Sequence, residues 1–187
     1  QSDVGLGVSK AVWGITKMQN NNFLKEGQYA KFLGAAYAYG SQMYEDDENA
    51  KKEIIELNKK IFERSDNNIN KFYDLGKKWS LEYFDSIYKK LGARFDYFIL
   101  ESQVSDLGKK IVEQGLKEGI FEKGDNGAII FKGEKYGLHT RVFVNSEGLP
   151  TYEAKDLGLA EIKYKKYAYN KSIIITGNEV NDYFKVM

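Results

Sequence analysis

Between Gln28 and Tyr39 the apolar positions Tyr29, Phe32, Leu33, Ala36 and Tyr37 follow the i, i+3, i+4, i+7, i+8 rhythm of one face of an α-helix. Ile54, Leu57, Asn58, Ile61 and Phe62 largely repeat it inside a Lys/Glu-rich stretch, and Phe72, Leu75, Trp79, Tyr83, Ile87 and Leu91 make a third stripe. Ahead of them, Val4 to Met18 reads as a short helix entered through a glycine turn at Asp3 and Gly5. Residues 20 to 92 are thus expected to form helical hairpins with a charged outer face and an aromatic inner one.

At Gly92 the rhythm changes. Arg94 to Leu100 (RFDYFIL) is aromatic and aliphatic over the length of a strand. Val104, Leu107, Ile111, Val112 and Leu116 return to helical spacing, and the runs Ala128 to Phe131 and Arg141 to Asn145 flank a Gly/Lys turn region as a β-hairpin would. The turn Ser146 to Pro150 leads into a helix from about Thr151. Ser172 to Thr176 (SIIIT) is a continuous apolar run, as in a strand buried on both faces of a parallel sheet, and a last helix follows. Strands alternating with helices predict an open α/β sheet, whose ligands sit beyond the carboxyl ends of the strands. The internal boundary is expected near residue 92.

Composition narrows the chemistry. The 187 residues carry 28 basic and 27 acidic side chains, a formal net charge of +1, so any contact with nucleic acid has to be local. There is no cysteine, which removes disulfides, thiolate zinc sites and cysteine nucleophiles, and His139 is the one histidine, too little for a histidine metal centre or a conventional triad. Nothing at the N-terminus resembles a signal peptide or membrane span, so a soluble cytoplasmic protein is expected. Carboxylates, amides, tyrosines and lysines are left to do any work.

Among them, Tyr152 and Asp156 in GLPTYEAKD stand four residues apart at the start of the predicted helix. That spacing puts both on one face, with about 5 to 6 Å between Cβ atoms. Facing a cleft, such a carboxylate could pair with a guanidinium through two parallel hydrogen bonds while the phenol limits where the cation sits; otherwise both are ordinary residues of an exposed helix start. Gly177-Asn178-Glu179 either holds an anion or nucleotide beyond the strand or simply turns the chain. The basic and aromatic run Ile162 to Lys171 either binds RNA or ends a helix with lysines lying over tyrosines. Glu45 to Arg64 is a solvated helix face or an RNA-facing insertion. His139 reads as a surface residue, and the odd offset of Asp96 and Glu101 argues against a shared carboxylate site.

Five stretches, in order, carry a resemblance to one family. RVFVNSE followed by GLPTYEAKDLGLA resembles the strand, turn and helix of arginyl-tRNA synthetases that bears a Tyr-x-x-x-Asp pair. SDVG is similar to that family's Gly-Asp-x-Gly turn, LGARFDYFILES to its Leu-Gly-Val-x-Phe-Asp strand ending in Glu-Ser, NGAIIF to its Asp-Gly-Ala strand, and IIITGNEVNDYFKVM to its late strand and helix. The likeness spans essentially the whole chain and is weakest from residue 20 to 80.

The resemblance implies a class I aminoacyl-tRNA synthetase: α/β, a partial Rossmann-type sheet with a helical insertion. It implies residues 1–19 as the start of the catalytic core, 20–92 as the insertion, and 93–187 as the remainder of the core with its hairpin. It implies arginine, tRNA(Arg) and ATP with magnesium as ligands of the full-length enzyme, with Tyr152 and Asp156 lining the arginine pocket and Asp156 receiving the guanidinium. Asp3 and Gly5 would belong to the active-site floor, or else only turn the chain. The family's third pocket residue, a glutamine, falls on Val180, so either Asn178 or Asn181 takes its place or the pocket is completed differently. The family's His-Ile-Gly-His and Lys-Met-Ser-Lys-Ser motifs, which stabilise the phosphates during adenylate formation, are not in this sequence. The chain by itself is therefore expected to be an inactive internal piece of the catalytic domain, binding no cofactor tightly, or else a non-catalytic α/β module. A truncated sheet is also expected to leave an edge open to self-association.

Overall fold

A computed structural model describes residues 1–18 and 28–187, which fall into two units, Gln1–Phe98 and Ile99–Met187. The first contains α1 (Leu6–Met18), α2 (Tyr29–Asp46), α3 (Glu48–Glu63) and α4 (Asn67–Leu91). The expected helices lie within these elements; the start of the expected insertion, at 20, falls outside the described residues.

Aspartates begin two of the helices. Asp47 accepts from the Asn49 and Ala50 amides at 2.8 and 2.9 Å, and Asp66 from those of Asn68 and Ile69, so each carboxylate satisfies N–H groups that a helix start leaves unpaired. α4 stops at Gly92, which takes the left-handed conformation that glycine adopts at least cost. The core of this unit gathers Val12 and Trp13 from α1, Ala50, Ile54, Leu57 and Ile61 from α3, and Tyr73 from α4. Ile54 and Ile61 are fully buried, each contributing about 1.5–3 kcal/mol relative to exposure. α1 packs on α2, α3 and α4, so there is no break in packing between residues 1–18 and the helices that follow.

The second unit contains α5 (Glu101–Lys117), β1 (Glu122–Lys123), β2 (Ile129–Phe131), β3 (Arg141–Val144), α6 (Tyr152–Tyr167) and α7 (Asn181–Val186). The strands form an antiparallel sheet in the order β1-β2-β3, with Ile130 opposite Val142 and an irregularity between Ile129 and Ile130. The expected hairpin is β2–β3; β1 extends it by a pair the sequence pattern did not signal. Val112, Phe121, Ile129, Phe143, Val144 and Ala154 form the core. α5 and α6 lie close enough that methyl groups at Gly108 or Gly158 would collide with backbone carbonyls of the facing helix.

Two expectations need correction. Residues 94–100 and 172–176 form no strands, and the sheet among the described residues is antiparallel rather than parallel. The physical reason is pairing. A strand is held by a ladder, and β propensity measures how well side chains pack within one; neither segment is a member of the described sheet. Phe95 and Phe98 instead set their rings against Tyr88 of α4, at 4.8 and 6.0 Å between centroids. Ile173, Ile174 and Ile175, expected to be buried on both sides, are 70, 59 and 94 % exposed.

Candidate functional site

The turn before α6 aims its first residues. Asn145 caps the turn by accepting from the Leu149 amide through its side chain, at 2.8 Å, and Gly148 takes a positive φ of 74°. A bridge from Val144 to Pro150 and the Thr151 hydroxyl, which donates to the Val142 carbonyl at 2.8 Å, then lay the start of α6 along β3. This brings Arg141, at the beginning of β3, beside Tyr152, at the beginning of α6.

Tyr152 and Asp156 share a face of α6, and both meet Tyr183 of α7. The Tyr183 hydroxyl donates to Asp156 Oδ2. The Tyr152 and Tyr183 rings lie 5.1 Å apart at 53°. Arg141 Nη1 donates to the Tyr152 hydroxyl at 3.2 Å and stands 3.8 Å from Glu153 Oε1, while its guanidinium lies 5.7 Å from the Tyr183 ring centroid. Tyr183 is buried, Tyr152 half-exposed and Asp156 partly buried.

Burial pushes the Tyr183 phenol far above its ordinary range, and the hydrogen bond to Asp156 adds to it. Tyr152 is also raised, first by burial and then by the neighbouring Glu153 charge, with Arg141 opposing. Both phenols are therefore neutral at physiological pH, and the site holds the carboxylates of Asp156 and Glu153, two rings and a resident guanidinium.

Beneath it lies an ion pair. Lys155, 7 % exposed in its side chain, meets Glu101 at the start of α5. A buried charge is tolerated when paired, and here the pair fixes the rotation of α6 on α5. Glu101 is thus committed to Lys155 rather than to a second carboxylate.

The other expected residues have surroundings of their own, each within its unit. Asp3 belongs to the first unit, where its buried carboxylate accepts from Lys77 Nζ at 2.6 Å and from the Tyr73 hydroxyl at 3.2 Å, tying the entry of α1 to α4. Asn178 is exposed in a 3-10 turn, Asn178–Val180, and Val180 is partly buried at the start of α7. At the Gly177 turn the Glu179 carboxylate folds back to where a Gly177 Cβ would lie. His139 is exposed, 3.7 Å from Asp182. Lys163 lies over the Tyr169 ring at 5.8 Å, the lysine-over-tyrosine arrangement of a helix end.

Sequence reasoning missed Tyr183, Arg141 and Glu153 as members of this cluster. Glu153 was hidden by lying between the two marked residues, and Arg141 sits eleven positions before Tyr152, a distance only the β3-turn-α6 path closes. For Tyr183 a signal existed: an aromatic three residues after Val180, on the same late helix.

The comparisons with known proteins agree with one another. The family described as tRNA synthetases class I (R), catalytic domain, matches residues 3–187. The chain is 29 % identical over 195 residues to an arginine–tRNA ligase of Borrelia garinii, covering 98 % of this chain and 33 % of that protein. It is 30 % identical over 128 residues to one from Porphyromonas gingivalis, covering 68 % of this chain and 21 % of the relative. Its fold is similar to that of the arginyl-tRNA synthetase of Plasmodium falciparum, with a TM-score of 0.69 at 19 % identity, over 98 % of this chain and 30 % of the other. The chain spans about a fifth to a third of the length of the curated relatives it matches.

Proposed function

Because the chain belongs to the class I tRNA synthetase (R) catalytic-domain family, we propose that the whole protein is an arginine–tRNA ligase that attaches arginine to tRNA(Arg) at the expense of ATP. On this reading Tyr152 and Asp156 select the arginine side chain. The observation that carries it is their convergence: a partly buried carboxylate and an aromatic ring, one helical turn apart, meet at one buried tyrosine in a cluster that already accommodates the Arg141 guanidinium.

The chemistry of the donor set fits the ligand. An ionised carboxylate accepts through two oxygens, and guanidinium offers parallel N–H groups that match them. Aromatic faces stabilise the delocalised cation, and Tyr152 supplies one at the exposed side of the cluster. ATP and magnesium are assigned to the whole enzyme and to no residues of this chain. Among the described residues no group of three or more acidic or histidine side chains could hold a metal ion. No helix among them is long and apolar enough to cross a membrane; with the assigned reaction, we place the protein in the cytoplasm. On the family likeness we assign residues 1–19 and 93–187 to the core and 20–92 to an insertion, although α1 packs with the helices of that insertion in one unit.

The test is steady-state kinetics on the full-length enzyme. Asp156→Asn keeps the shape and removes the charge, leaving a guanidinium without its counter-ion, a loss of about 2–5 kcal/mol in arginine binding. The arginine KM should rise accordingly while the ATP KM stays near its original value. An unchanged arginine KM removes Asp156 from the pocket.

A further inference from the structure

Val180, at the entry to α7, has a side chain without a polar atom. The same helix nevertheless delivers a polar group to the site from the next turn. We propose that Tyr183, rather than Val180, is the third residue of the arginine site and acts as a positioning residue, holding the Asp156 carboxylate in the orientation that receives a guanidinium. This rests on the arginine-ligase reading given above.

Tyr183 is 5 % exposed. A buried hydroxyl has to find its partner within the protein, and this one donates to Asp156 Oδ2. Burial and that bond keep the phenol protonated at any physiological pH, so it is a permanent donor and never a competing anion. One fixed donor at Oδ2 restricts rotation of the carboxylate, because turning its plane breaks the bond. A carboxylate has about four lone-pair sites; the phenol takes one and leaves Oδ1 and the second site of Oδ2 for two N–H groups. The ring of Tyr183 is itself fixed, packed against Tyr152 at 5.1 Å and Phe184 at 4.8 Å. Val180 sits at the first position before α7, one turn short of Tyr183.

Arginine-dependent ATP–pyrophosphate exchange by the full-length enzyme separates the possibilities. Tyr183→Phe deletes one oxygen and one charge-assisted hydrogen bond, so its arginine KM should rise about ten-fold, with kcat and the ATP KM changed less than about two-fold. A merely structural role would lower the fraction of active enzyme, hence kcat, without that split. Val180→Ala tests the competing assignment and should leave the arginine KM within about two-fold of the original. An unchanged arginine KM in Tyr183→Phe, alongside a raised one in Asp156→Asn, overturns the role of Tyr183 and leaves the pocket standing. A rise in Val180→Ala that equals or exceeds that of Tyr183→Phe returns the third position to Val180 and overturns it as well. An unchanged KM in Asp156→Asn brings down the arginine reading itself. Should Tyr183→Phe prove unstable, Tyr183→His keeps a ring donor: an arginine KM within about three-fold of the original is expected, and one matching Asp156→Asn overturns the proposal.

Discussion

At Glu53 a single carboxylate joins α1 to α3. The Trp13 indole donates to its Oε2 at 2.7 Å and Lys17 approaches the same oxygen at 3.0 Å. The indole hydrogen bond first, and then Lys17, hold the Glu53 carboxyl below its ordinary range. A carboxyl depressed in the folded state contributes stability that is present above its unfolded pKa, about 4.3, and is lost as pH falls through the folded value. Glu53 is half-exposed, so after solvent screening the contribution is a few tenths of a kcal/mol, roughly that of an exposed pair. Trp13 is a built-in reporter. Its fluorescence should titrate in acid with a midpoint below the ordinary glutamate range, and Glu53→Gln should abolish that step while leaving Trp79, stacked on Tyr29 at 4.5 Å, unaffected. An identical titration in both proteins would mean that the indole does not sense Glu53.

Between elements, glycines set how closely helices approach. A methyl at Gly108 would lie 1.9 Å from the Ala154 carbonyl oxygen, and one at Gly14 2.1 Å from that of Ala36. Neither neighbour is a flexible side-chain end; both are helix backbone, and the helices would have to part. Gly108→Ala should lower stability by about 1–3 kcal/mol or more, read as a fall in the denaturation midpoint. Gly34→Ala should do the opposite. A methyl there meets nothing within 4 Å, and alanine gains up to about 1 kcal/mol of helix propensity over glycine. Equal effects at the two sites would contradict the close approach of α5 and α6.

The helices were legible because their signal is local. Five apolar positions from Tyr29 to Tyr37 predict an amphipathic helix without reference to the rest of the chain. Tyr152 and Asp156 were legible for the same reason, since four residues on a helix fix a shared face. RFDYFIL and SIIIT have strand composition, but composition cannot supply the neighbour a strand needs. Tyr183 escaped because its link to Asp156 spans 27 positions and depends on where α7 lies.

For the molecule as a whole, the family likeness and the exposed apolar residues are two separate observations. The chain matches the family from residue 3 to its end, yet spans a third or less of the length of the relatives described above. Phe95, Tyr97 and Phe98 in the first unit and Ile173 to Ile175 in the second are more than half exposed. The proposed activity belongs to the whole enzyme, and on that proposal the α6–α7 cluster chooses the amino acid. The most direct test of that assignment is a structure of the full-length enzyme with arginine bound. Guanidinium nitrogens are expected about 3 Å from the Asp156 oxygens, with the Tyr152 ring alongside and the Tyr183 hydroxyl still donating to Oδ2. Arginine held elsewhere, with Asp156 engaged by Tyr183 alone, would contradict it.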